Sequence, residues 1–428
     1  MEILTTLDIE ETTQQSGPEY RPRSISETGV RAAVLEDLAL KILYLSGPFS
    51  VRDLARLMGV GYGVTDQIFS LLRAKVLCEV TGMVSNIPSI AITSLGRTRA
   101  MGLLAQGQYA GIAPVSLKSY VEQVKKQAVH KVQVKREDVE QAFADLVLDD
   151  TTISQFGAAL NSGEAIFIYG AAGVGKTAVA EALSSVLAKD SVWIPYAVEV
   201  DGQIIVVFDP TIHKPVGSTG DADNDMRWVR CQRPTVLVGG ELTIEMLDLQ
   251  FNPVTHYYVG PVQMKANNGT LIIDDFGRQR LSPEELLNRW VVPLDRGIEF
   301  LTLAGGRKVE IPFQLFVVFA SNKDPGKLLD PAFLRRIQTK IKLGAITPEQ
   351  FYEIFRRFAK KRGIEVDEEA LRELVVTIRD ELKEELRGCQ SRDLINQVTW
   401  AARYQGTQPR LDRQSLRKAV DSYFLARS

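Results

Sequence analysis

Residues 166 to 183 have the sequence Ile166-Phe-Ile-Tyr-Gly-Ala-Ala-Gly-Val-Gly-Lys-Thr-Ala-Val-Ala-Glu-Ala-Leu183. An apolar strand leads into a glycine-rich loop, and the residues after the loop favour a helix. Gly170, Gly173 and Gly175 let the backbone turn sharply, so that successive N–H groups and the helix N-terminus converge on one point. Such a point binds phosphate. The spacing G-x-x-x-x-G-K-T therefore predicts a nucleotide-binding P-loop at residues 170 to 177.

The side chains around this loop predict which residues hold the nucleotide and its metal. Lys176 is expected to reach the β- and γ-phosphate oxygens, and the Thr177 hydroxyl is expected to bind Mg²⁺. ATP and Mg²⁺ are therefore the expected cofactors. The predicted cofactor-binding residues are Gly170, Ala172, Gly173, Val174, Gly175, Lys176, Thr177, Ala178 and Asp274, and the predicted metal ligands among them are Thr177 and Asp274.

A second apolar segment, Thr270-Leu-Ile-Ile-Asp274-Asp275, predicts a buried strand that ends in two carboxylates. Any magnesium-dependent P-loop hydrolase needs such an element. Asp274 is predicted to hold the metal through its water shell, and Asp275 is predicted to polarise the attacking water as the catalytic base. The pair therefore predicts ATP hydrolysis.

A third apolar strand, residues 314 to 320, is followed by Ser321 and Asn322. A parallel neighbour would bring this polar pair beside the γ-phosphate, where Asn322 could orient water. Further along the chain, Arg335 and Arg336 precede another short predicted strand. Arginine suits a fork-shaped contact to a phosphoryl group in transfer, so both are candidate catalytic residues.

In this order, the four elements resemble the motifs of the AAA+ ATPase family. The resemblance covers residues 136 to 428. It implies an α/β fold in which the parallel sheet of a P-loop NTPase is flanked by helices and followed by an α-helical lid. It also implies a homo-oligomeric ring, most often a hexamer in this family, whose active sites form between subunits.

The resemblance gives each catalytic candidate a role. Asp275 corresponds to the second Walker B residue and Asn322 to sensor 1. Arg336, with Arg335 as the second choice, corresponds to an arginine finger that acts in trans. Arg392, at the start of a predicted lid helix, resembles sensor 2, which lies over the bound γ-phosphate. The family usually has Glu where this chain has Asp275, and the shorter carboxylate requires a closer water, which affects the expected turnover.

Two further segments concern substrate contact. Residues 298 to 311 predict a β-hairpin that resembles the pre-sensor-1 hairpin of MoxR-like, magnesium-chelatase-like and NtrC-like ATPases. Such hairpins commonly contact substrate in the channel of the ring, and an edge hairpin without contact is the alternative. Residues 256 to 260, His-Tyr-Tyr-Val-Gly, resemble the pore loop of protein-threading rings. The alternative there is a tyrosine pair packed against a neighbour.

The interval from Lys176 to Asp274 is longer than a bare P-loop core requires, which predicts an insert. Asp201-Gly202 suits a tight type I′ turn, so residues 193 to 208 are expected to form a hairpin. Residues 216 to 225 are mostly Gly, Ser, Thr, Asp and Asn, and this composition predicts a mobile loop.

The sequence before the P-loop domain predicts three segments. Residues 1 to 30 lack apolar periodicity and are expected to form a disordered leader. Residues 31 to 106 predict three helices and two short strands, and this order resembles a winged helix-turn-helix domain. Residues 107 to 135 predict a linker with a basic helix. The ATPase core is then expected over residues 136 to 345 and the helical lid over residues 346 to 428.

The winged-helix segment leaves two functions open. Across it, eight Lys and Arg residues accompany five Asp and Glu residues. Its presumed recognition helix carries Arg73 and Lys75 but also Asp66. Binding to DNA phosphates generally requires more cations on one face. Two functions are therefore open for this segment. One is DNA binding through a recognition helix, and the other is docking of a protein or regulation of the ring.

The bulk composition is that of an ordinary globular protein, with 428 residues, 45% hydrophobic residues and a net charge of −2. Cys78, Cys231 and Cys389 are far apart, which argues against a disulfide framework and a metal cluster and fits a reducing cytoplasm. No apolar run approaches the roughly 18 residues of a membrane span, and the N-terminus lacks the pattern of a signal peptide. A soluble, cytoplasmic protein without membrane contact is expected.

Together these features predict an oligomeric ATP hydrolase of the AAA+ type. Its expected task is to couple MgATP hydrolysis to the remodelling or assembly of a protein partner, under the regulation or targeting of the winged helix. The alternative is a DNA-binding regulator or DNA motor that uses ATP as switch or fuel. The motor would need a strong basic stripe, which the sequence does not display.

Overall fold

The structure of the protein is a computed structural model. It describes residues 18, 21–84, 86–217 and 224–424. The chain divides into two compact units. Unit 1 comprises residues 1–127, 191–232 and 249–260, and unit 2 comprises residues 128–190, 233–248 and 261–428. The chain therefore leaves unit 2 twice, at residues 190 and 248, and twice returns to it.

The helices, in chain order, are α1 (Ala32–Ser46), α2 (Val51–Met58), α3 (Tyr62–Ala74), α4 (Ser94–Gln106), α5 (Leu117–Lys126), α6 (Arg136–Ala142), α7 (Asp150–Ser162), α8 (Lys176–Leu187), α9 (Val262–Lys265), α10 (Pro283–Arg296), α11 (Pro325–Leu328), α12 (Pro331–Arg336), α13 (Pro348–Arg362), α14 (Glu368–Val376), α15 (Gly388–Gln405) and α16 (Arg413–Tyr423). Within the described part of the chain, every helix is too short or too polar to span a bilayer.

The strands, in chain order, are β1 (Phe49–Ser50), β2 (Cys78–Val84), β3 (Ile87–Ile92), β4 (Val115–Ser116), β5 (Ile166–Tyr169), β6 (Ser191–Pro195), β7 (Ala197–Val200), β8 (Gln203–Val206), β9 (Trp228–Gln232), β10 (Thr235–Val238), β11 (Gln250–Phe251), β12 (Tyr258–Val259), β13 (Thr270–Ile273), β14 (Ile298–Thr302), β15 (Lys308–Pro312), β16 (Phe316–Ser321) and β17 (Thr339–Lys342).

A parallel sheet of five strands forms the centre of unit 2, in the order β10-β13-β16-β5-β17. Each neighbouring pair is parallel, and Val318 of β16 lies opposite Ile166 on one side and Ile272 on the other. The strand that leads into the P-loop, β5, therefore lies between β16 and β17. This sheet confirms the expected α/β fold class.

Both faces of this sheet are buried, as the apolar runs of its strands predict. On one face, Ile166 and Ile168 of β5 pack with side chains of α7 and α8. On the other face, Phe167 stacks on Phe319 with ring centroids 6.1 Å apart, and Phe319 contacts Trp290 of α10. The helices hold the strands so that three polar segments follow β5, β13 and β16 at the same edge.

A helical lid follows the sheet. Helices α13 to α16 pack around a shared apolar core that includes Phe351, Phe355, Leu371, Leu394 and Leu416. The sequence predicts one helix over residues 368 to 387, but α14 ends at Val376 and is extended only by a π-helical turn, Thr377–Glu381. Lys383 then has a φ of 51°. A left-handed residue is unfavourable in a helix, so the chain leaves the helix before α15.

The first part of unit 1 contains α1 to α4 and an antiparallel sheet in the order β1-β3-β2. The helices and strands expected within residues 31 to 106 are therefore present. Ser50 caps α2: its hydroxyl accepts a hydrogen bond from the Asp53 N–H at 3.2 Å, and the Asp53 carboxylate accepts one from the Ser50 N–H at 3.3 Å. Leu35 and Ile68 lie in the core between the helices.

A second sheet in unit 1 joins strands from separate parts of the chain, in the order β11-β12-β8-β7-β4. Strand β4 pairs in parallel with β7, and β8 pairs in parallel with β12. Residues 107 to 127, predicted as part of a linker, therefore belong to a packed unit. Ala113 is fully buried, and the Tyr109 hydroxyl donates to the Ile112 carbonyl at 2.6 Å. The Gly-Gln-rich composition that predicted a linker does not reveal these contacts.

The segment before α1 also differs from the prediction. In the predicted disordered leader, residues 1–17, 19 and 20 lie outside the described residues. Residues 21 to 30 instead pack within unit 1. Thr28 and Val30 are buried there, and Arg227 donates to the Thr28 carbonyl at 2.9 Å. Three buried residues, Pro22, Thr28 and Val30, in a polar segment produce no apolar periodicity, which explains why the sequence pattern missed them.

The insert between α8 and β13 supplies several strands of unit 1. Strands β7 and β8 form a hairpin, and both residues of its turn, Asp201 and Gly202, have positive φ, as a type I′ turn requires. The hairpin begins at Ala197 and not at Trp193, because β6 is a separate strand that pairs with β9. Within the predicted mobile loop at 216 to 225, residues 218 to 223 lie outside the described residues.

Candidate functional site

The P-loop connects β5 to α8. Gly173 has a φ of 82°, in the region that favours glycine. Lys176 is the first residue of α8, and it is only 6% exposed. Its ammonium group donates to the carbonyls of Gly170 at 3.1 Å and Ala171 at 2.8 Å, and to Asn322 Oδ1 at 2.6 Å. All three donors of the ammonium are thus engaged within the loop region.

The charge of Lys176 is only partly compensated. Burial lowers the pKa of Lys176, and the nearby carboxylates of Asp275 and Asp274 oppose this effect. An anion that entered the loop would stabilise the ammonium further. Phosphate oxygens would replace the neutral carbonyl acceptors by anionic ones, and an ammonium binds an anionic oxygen more strongly than a neutral one. The surroundings of Lys176 therefore suit a phosphate ligand.

The two predicted metal ligands lie next to each other. The Thr177 hydroxyl donates to Asp274 Oδ2 at 2.7 Å. Thr177 is exposed and Asp274 is half-buried, so both oxygens face a region open to solvent. Mg²⁺ binds through one or two protein oxygens and keeps several of its waters. This pair of donors therefore fits the predicted metal.

A continuous hydrogen-bonded path connects the P-loop to the two carboxylates. Asn322 accepts from Lys176 through Oδ1 and donates to Asp275 Oδ1 at 2.8 Å through Nδ2. The Asp275 N–H donates to Asp274 Oδ1 at 2.9 Å, and Asp274 accepts from Thr177. The order of the strands explains this path: β16 lies between β5 and β13, so Asn322 falls between the lysine and the carboxylates. The structure thus brings together five of the residues predicted from sequence.

The backbone at Asp275 has an unusual conformation. Its φ is 49°, in the left-handed region. Among non-glycine residues, Asp and Asn tolerate this region best, because their short polar side chains can hydrogen-bond locally. A glutamate side chain is longer and does not share this advantage. The local conformation therefore gives a physical reason for Asp at a position where the AAA+ resemblance leads one to expect Glu.

The two candidate finger arginines share the end of α12 but have different surroundings. Both line a cleft of about 460 Å³. Arg336 is held within its own chain, because its Nε donates to both carboxylate oxygens of Asp295 at 2.9 Å and its guanidinium lies 5.5 Å from the centre of the Phe333 ring. Arg335 is exposed, and its Nε lies 3.5 Å from the Pro331 carbonyl. The guanidinium of Arg335 is therefore the more accessible to a second molecule.

Arg392 lies on α15 in the lid, where an adjacent residue engages it. Its Nε donates to Asp393 Oδ1 at 2.9 Å, and its side chain is 57% exposed. The other oxygen of Asp393 accepts from the Tyr423 hydroxyl at 3.3 Å. Among the described residues, no hydrogen bond or ion pair connects Arg392 to the P-loop. Another lid arginine, Arg387, lies nearer to the loop, because a β-carbon placed on Gly173 would be 3.3 Å from its Cβ and Cδ.

The tyrosines that resemble a pore loop are packed inside unit 1. Tyr258 is buried in β12. Tyr257 makes an edge-to-face contact with Tyr109, with ring centroids 5.8 Å apart, and His256 Nδ1 lies 2.7 Å from the Ala105 carbonyl. These contacts support packing against a neighbour, which was the alternative to contact with a threaded substrate.

The hairpin expected before the Asn322 strand is present as β14 and β15, and it contains a buried carboxyl. Glu299 is 2% exposed. Its Oε2 accepts from Gln263 at 2.9 Å, and the Arg289 guanidinium of α10 lies 3.2 Å from its Oε1. Burial raises the pKa of Glu299 to about 7; Asp248 adds to this effect, and Arg289 and Gln263 oppose it. Nothing in the sequence distinguishes this Glu from an exposed one on a hairpin.

Replacing Glu299 with glutamine is expected to change how the free energy of unfolding depends on pH. The folded pKa of about 7 exceeds the ordinary value of 4.5. Between these values the folded protein keeps a proton that the unfolded chain has released. The free energy of unfolding of the wild type should therefore be highest below pH 4.5. It should fall by about 3 kcal/mol as the pH rises from 4.5 to about 7. The glutamine variant should lack this loss.

Denaturant unfolding of both proteins, at about pH 5 and about pH 8, measures the difference. Glu310→Gln is the matched control, because Glu310 is exposed on the partner strand of the same hairpin. The free energy of unfolding of this control should depend on pH in the same way as that of the wild type. If Glu299→Gln also ran parallel to the wild type, the buried carboxyl would not be the titrating group.

Comparison with known proteins gives matches to parts of the chain. A family model described as a domain of unknown function (DUF8689) matches residues 347–422, which contain the lid helices. No protein with a curated description matches the sequence.

Among solved structures, the chain is similar in fold to NtrX from Brucella abortus in complex with ADP, at 14% identity and a TM-score of 0.41, over 68% of this chain and 59% of that chain. It is also similar to the Thermotoga maritima RuvB Holliday junction branch migration motor, at 14% identity and a TM-score of 0.38, over 69% of this chain and 73% of that chain. Domain III of the Thermotoga maritima replication initiation protein DnaA is similar at 15% identity and a TM-score of 0.39, over 66% of this chain and 97% of that domain. The match thus spans less than two thirds of NtrX.

Proposed function

We propose that the protein is an oligomeric AAA+ ATPase, of the MoxR-like type, that couples MgATP hydrolysis to the remodelling or assembly of a protein partner. The observation that carries the proposal is the path from Lys176 through Asn322 and Asp275 to Asp274 and Thr177. One edge of the parallel sheet thus holds a lysine, two oxygens that can bind a metal, a second carboxylate and an amide. These are the groups that phosphoryl transfer to water requires.

Each of these residues has a distinct task in the proposal. Lys176 exchanges its carbonyl contacts for phosphate oxygens. Thr177 and Asp274 would hold Mg²⁺, and the ion would supply positive charge next to the phosphates. Asp275 accepts a proton from the attacking water. Asn322 already donates to the Asp275 carboxylate, so it keeps this base in position and can direct the water.

A second subunit completes the site in this proposal. Arg335 is exposed at the end of α12, whereas Arg336 is committed to Asp295. An arginine supplied in trans stabilises the charge of the transition state. Arg335 is therefore the better candidate for this role, and Arg336 the candidate for holding α12 in place.

For the first part of unit 1, we propose a winged helix that docks protein and not DNA. The order of its helices and antiparallel strands supports this proposal, in which α3 would be the recognition helix. Gln67 of α3 accepts a hydrogen bond from the Ile25 N–H of the segment before α1 at 3.0 Å. Lys75, which directly follows α3, donates to Glu36 at 2.5 Å. The Arg23 carbonyl lies 2.6 Å from where a β-carbon on Gly63 would be. The chain thus already covers the start of α3 and engages the cation that follows its end.

The ATPase rate per subunit, measured as protein concentration rises, tests the proposed function. We expect a magnesium-dependent rate that increases with concentration, because each site needs two subunits. The Lys176→Ala variant should be inactive. Duplex DNA should leave the rate unchanged. Absence of hydrolysis by the wild type at every concentration would contradict the ATPase, and stimulation by duplex DNA with a steep salt dependence would favour the DNA motor.

A further inference from the structure

The last two helices of the lid, α15 and α16, border an open groove with a volume of about 570 Å³. The small side chains of Ala401, Ala402 and Ala419 line it, and their size leaves space between the two helices. Along α15 the groove extends from Gln397 to Gln405, a rise of about 12 Å in an α-helix. An extended peptide segment of about four residues has this length.

The groove carries positive charge that its own chain leaves unpaired. Arg410 and Lys418 line it, and Asp412 supplies the carboxylate among its described lining residues. Asp412 caps α16, and its Oδ1 accepts a hydrogen bond from the Ser415 N–H at 2.9 Å. Within the described part of the chain, no carboxylate forms an ion pair with Arg410 or Lys418. Both cations can therefore pair with an anionic group of another molecule.

The polar groups beside these cations suit a peptide backbone. The amides of Gln397, Gln405 and Gln408 line the groove, and they form no hydrogen bond with the residues that the structure describes. Each amide can both donate and accept, as the N–H and C=O groups of an extended backbone require. Tyr404 follows the groove-lining Ala401 by three residues, so both lie on one side of α15. Tyr404 is 94% exposed, and exposed tyrosines are enriched where proteins bind each other.

We propose that this groove binds an extended acidic segment of a protein partner. Carboxylates of the segment pair with Arg410 and Lys418, and its backbone bonds to the glutamine amides. An apolar side chain of the segment packs on Tyr404. Two cations neutralise few phosphates, so the groove suits an acidic peptide better than a nucleic acid strand. The inference goes beyond the proposed ATPase, because the described residues that line the groove differ from those of the nucleotide site.

Fluorescence anisotropy tests this inference on the full-length protein without nucleotide. The probe is a fluorescein-labelled peptide of four consecutive glutamates, flanked on each side by leucine and glycine. Reversing one charge, in Arg410→Glu or in Lys418→Glu, should raise the Kd at least about tenfold. The matched control is Arg403→Glu, because Arg403 is an exposed cation of α15 that does not line the groove. This control should bind the probe with an affinity close to that of the wild type.

A second variant separates the groove from the charge on its surface. Ala401→Phe fills the groove without changing its charge, and Ala401 is exposed, so the variant should fold. We expect its Kd for the probe to rise at least about tenfold as well. Thermal unfolding of each variant shows whether it is folded.

Four results would overturn the inference. The first is a wild type that does not bind the probe, and the second is unchanged affinity in both groove charge variants. An equal loss in Arg403→Glu would indicate general attraction to a positive surface, and unchanged affinity in a folded Ala401→Phe variant would place the peptide outside the groove. Single-stranded oligothymidylate serves as a competitor and should not displace the probe. Because no nucleotide is present, each result leaves the proposed ATPase to its own assay.

Discussion

Replacing Asp275 with asparagine is expected to lower the ATPase turnover number at least about 100-fold, with little change in affinity for MgATP. Asparagine cannot accept a proton from water. Its side chain nevertheless has the size of the carboxylate and keeps an oxygen for the Asn322 amide. It also tolerates the φ of 49° at this position. The variant therefore removes the basicity of Asp275 and preserves its contacts.

Single-turnover hydrolysis and MgATP binding, measured on the same preparation, separate the chemical step from ligand affinity. Asp275→Glu is the control variant. It keeps a carboxylate base but places a longer side chain on a left-handed backbone, so we expect a turnover number between those of Asp275→Asn and the wild type. Wild-type turnover in Asp275→Asn would show that the base is another group.

The second large effect is expected at Arg335. Replacing Arg335 with alanine should lower turnover about 10³-fold, because the transition state would lose the positive charge that we propose a neighbouring subunit supplies. Nucleotide binding should persist, since the P-loop is untouched. Arg336→Ala should instead mainly lower the unfolding temperature, because Arg336 joins α12 to α10 through Asp295.

Mixing variants tests whether Arg335 acts across an interface. A mixture of Lys176→Ala and Arg335→Ala subunits contains interfaces at which an intact P-loop meets an intact Arg335. We expect activity to return on mixing, although neither variant is active alone. Failure to recover activity in assembled mixtures would exclude the trans role. A greater loss of turnover in a folded Arg336→Ala variant would transfer the role to Arg336.

The centre of unit 2 could be predicted from sequence, because each strand and the polar motif that follows it lie within one short segment of the chain. Strands β5, β13 and β16 are apolar runs followed at once by the P-loop, by Asp274 and Asp275, and by Asn322. Parallel strands end at a common edge, so these side chains were expected to meet. The order of the strands was not predictable in this way. Only the structure shows that β16 lies between the other two and that Asn322 therefore bridges Lys176 and Asp275.

The second sheet of unit 1 was not predictable, because most of its strand pairs join segments that are distant in sequence. Strand β4 has two residues, too few to show an alternating pattern, and its partner β7 lies beyond the P-loop. Tyr257 and Tyr258 were ambiguous because tyrosine suits both an exposed loop and a packed interior.

The two departures of the chain from unit 2 affect the order in which the protein can fold on the ribosome. Strand β4 is synthesised early, but β7 and β8 follow only after the P-loop and α8, and β11 and β12 come later still. Until then the edge of β4 has no strand to pair with, and exposed edges promote association between chains. Unit 1 of the nascent protein therefore remains incomplete while the ribosome synthesises the P-loop and α8. Neither unit can be finished before the other has begun.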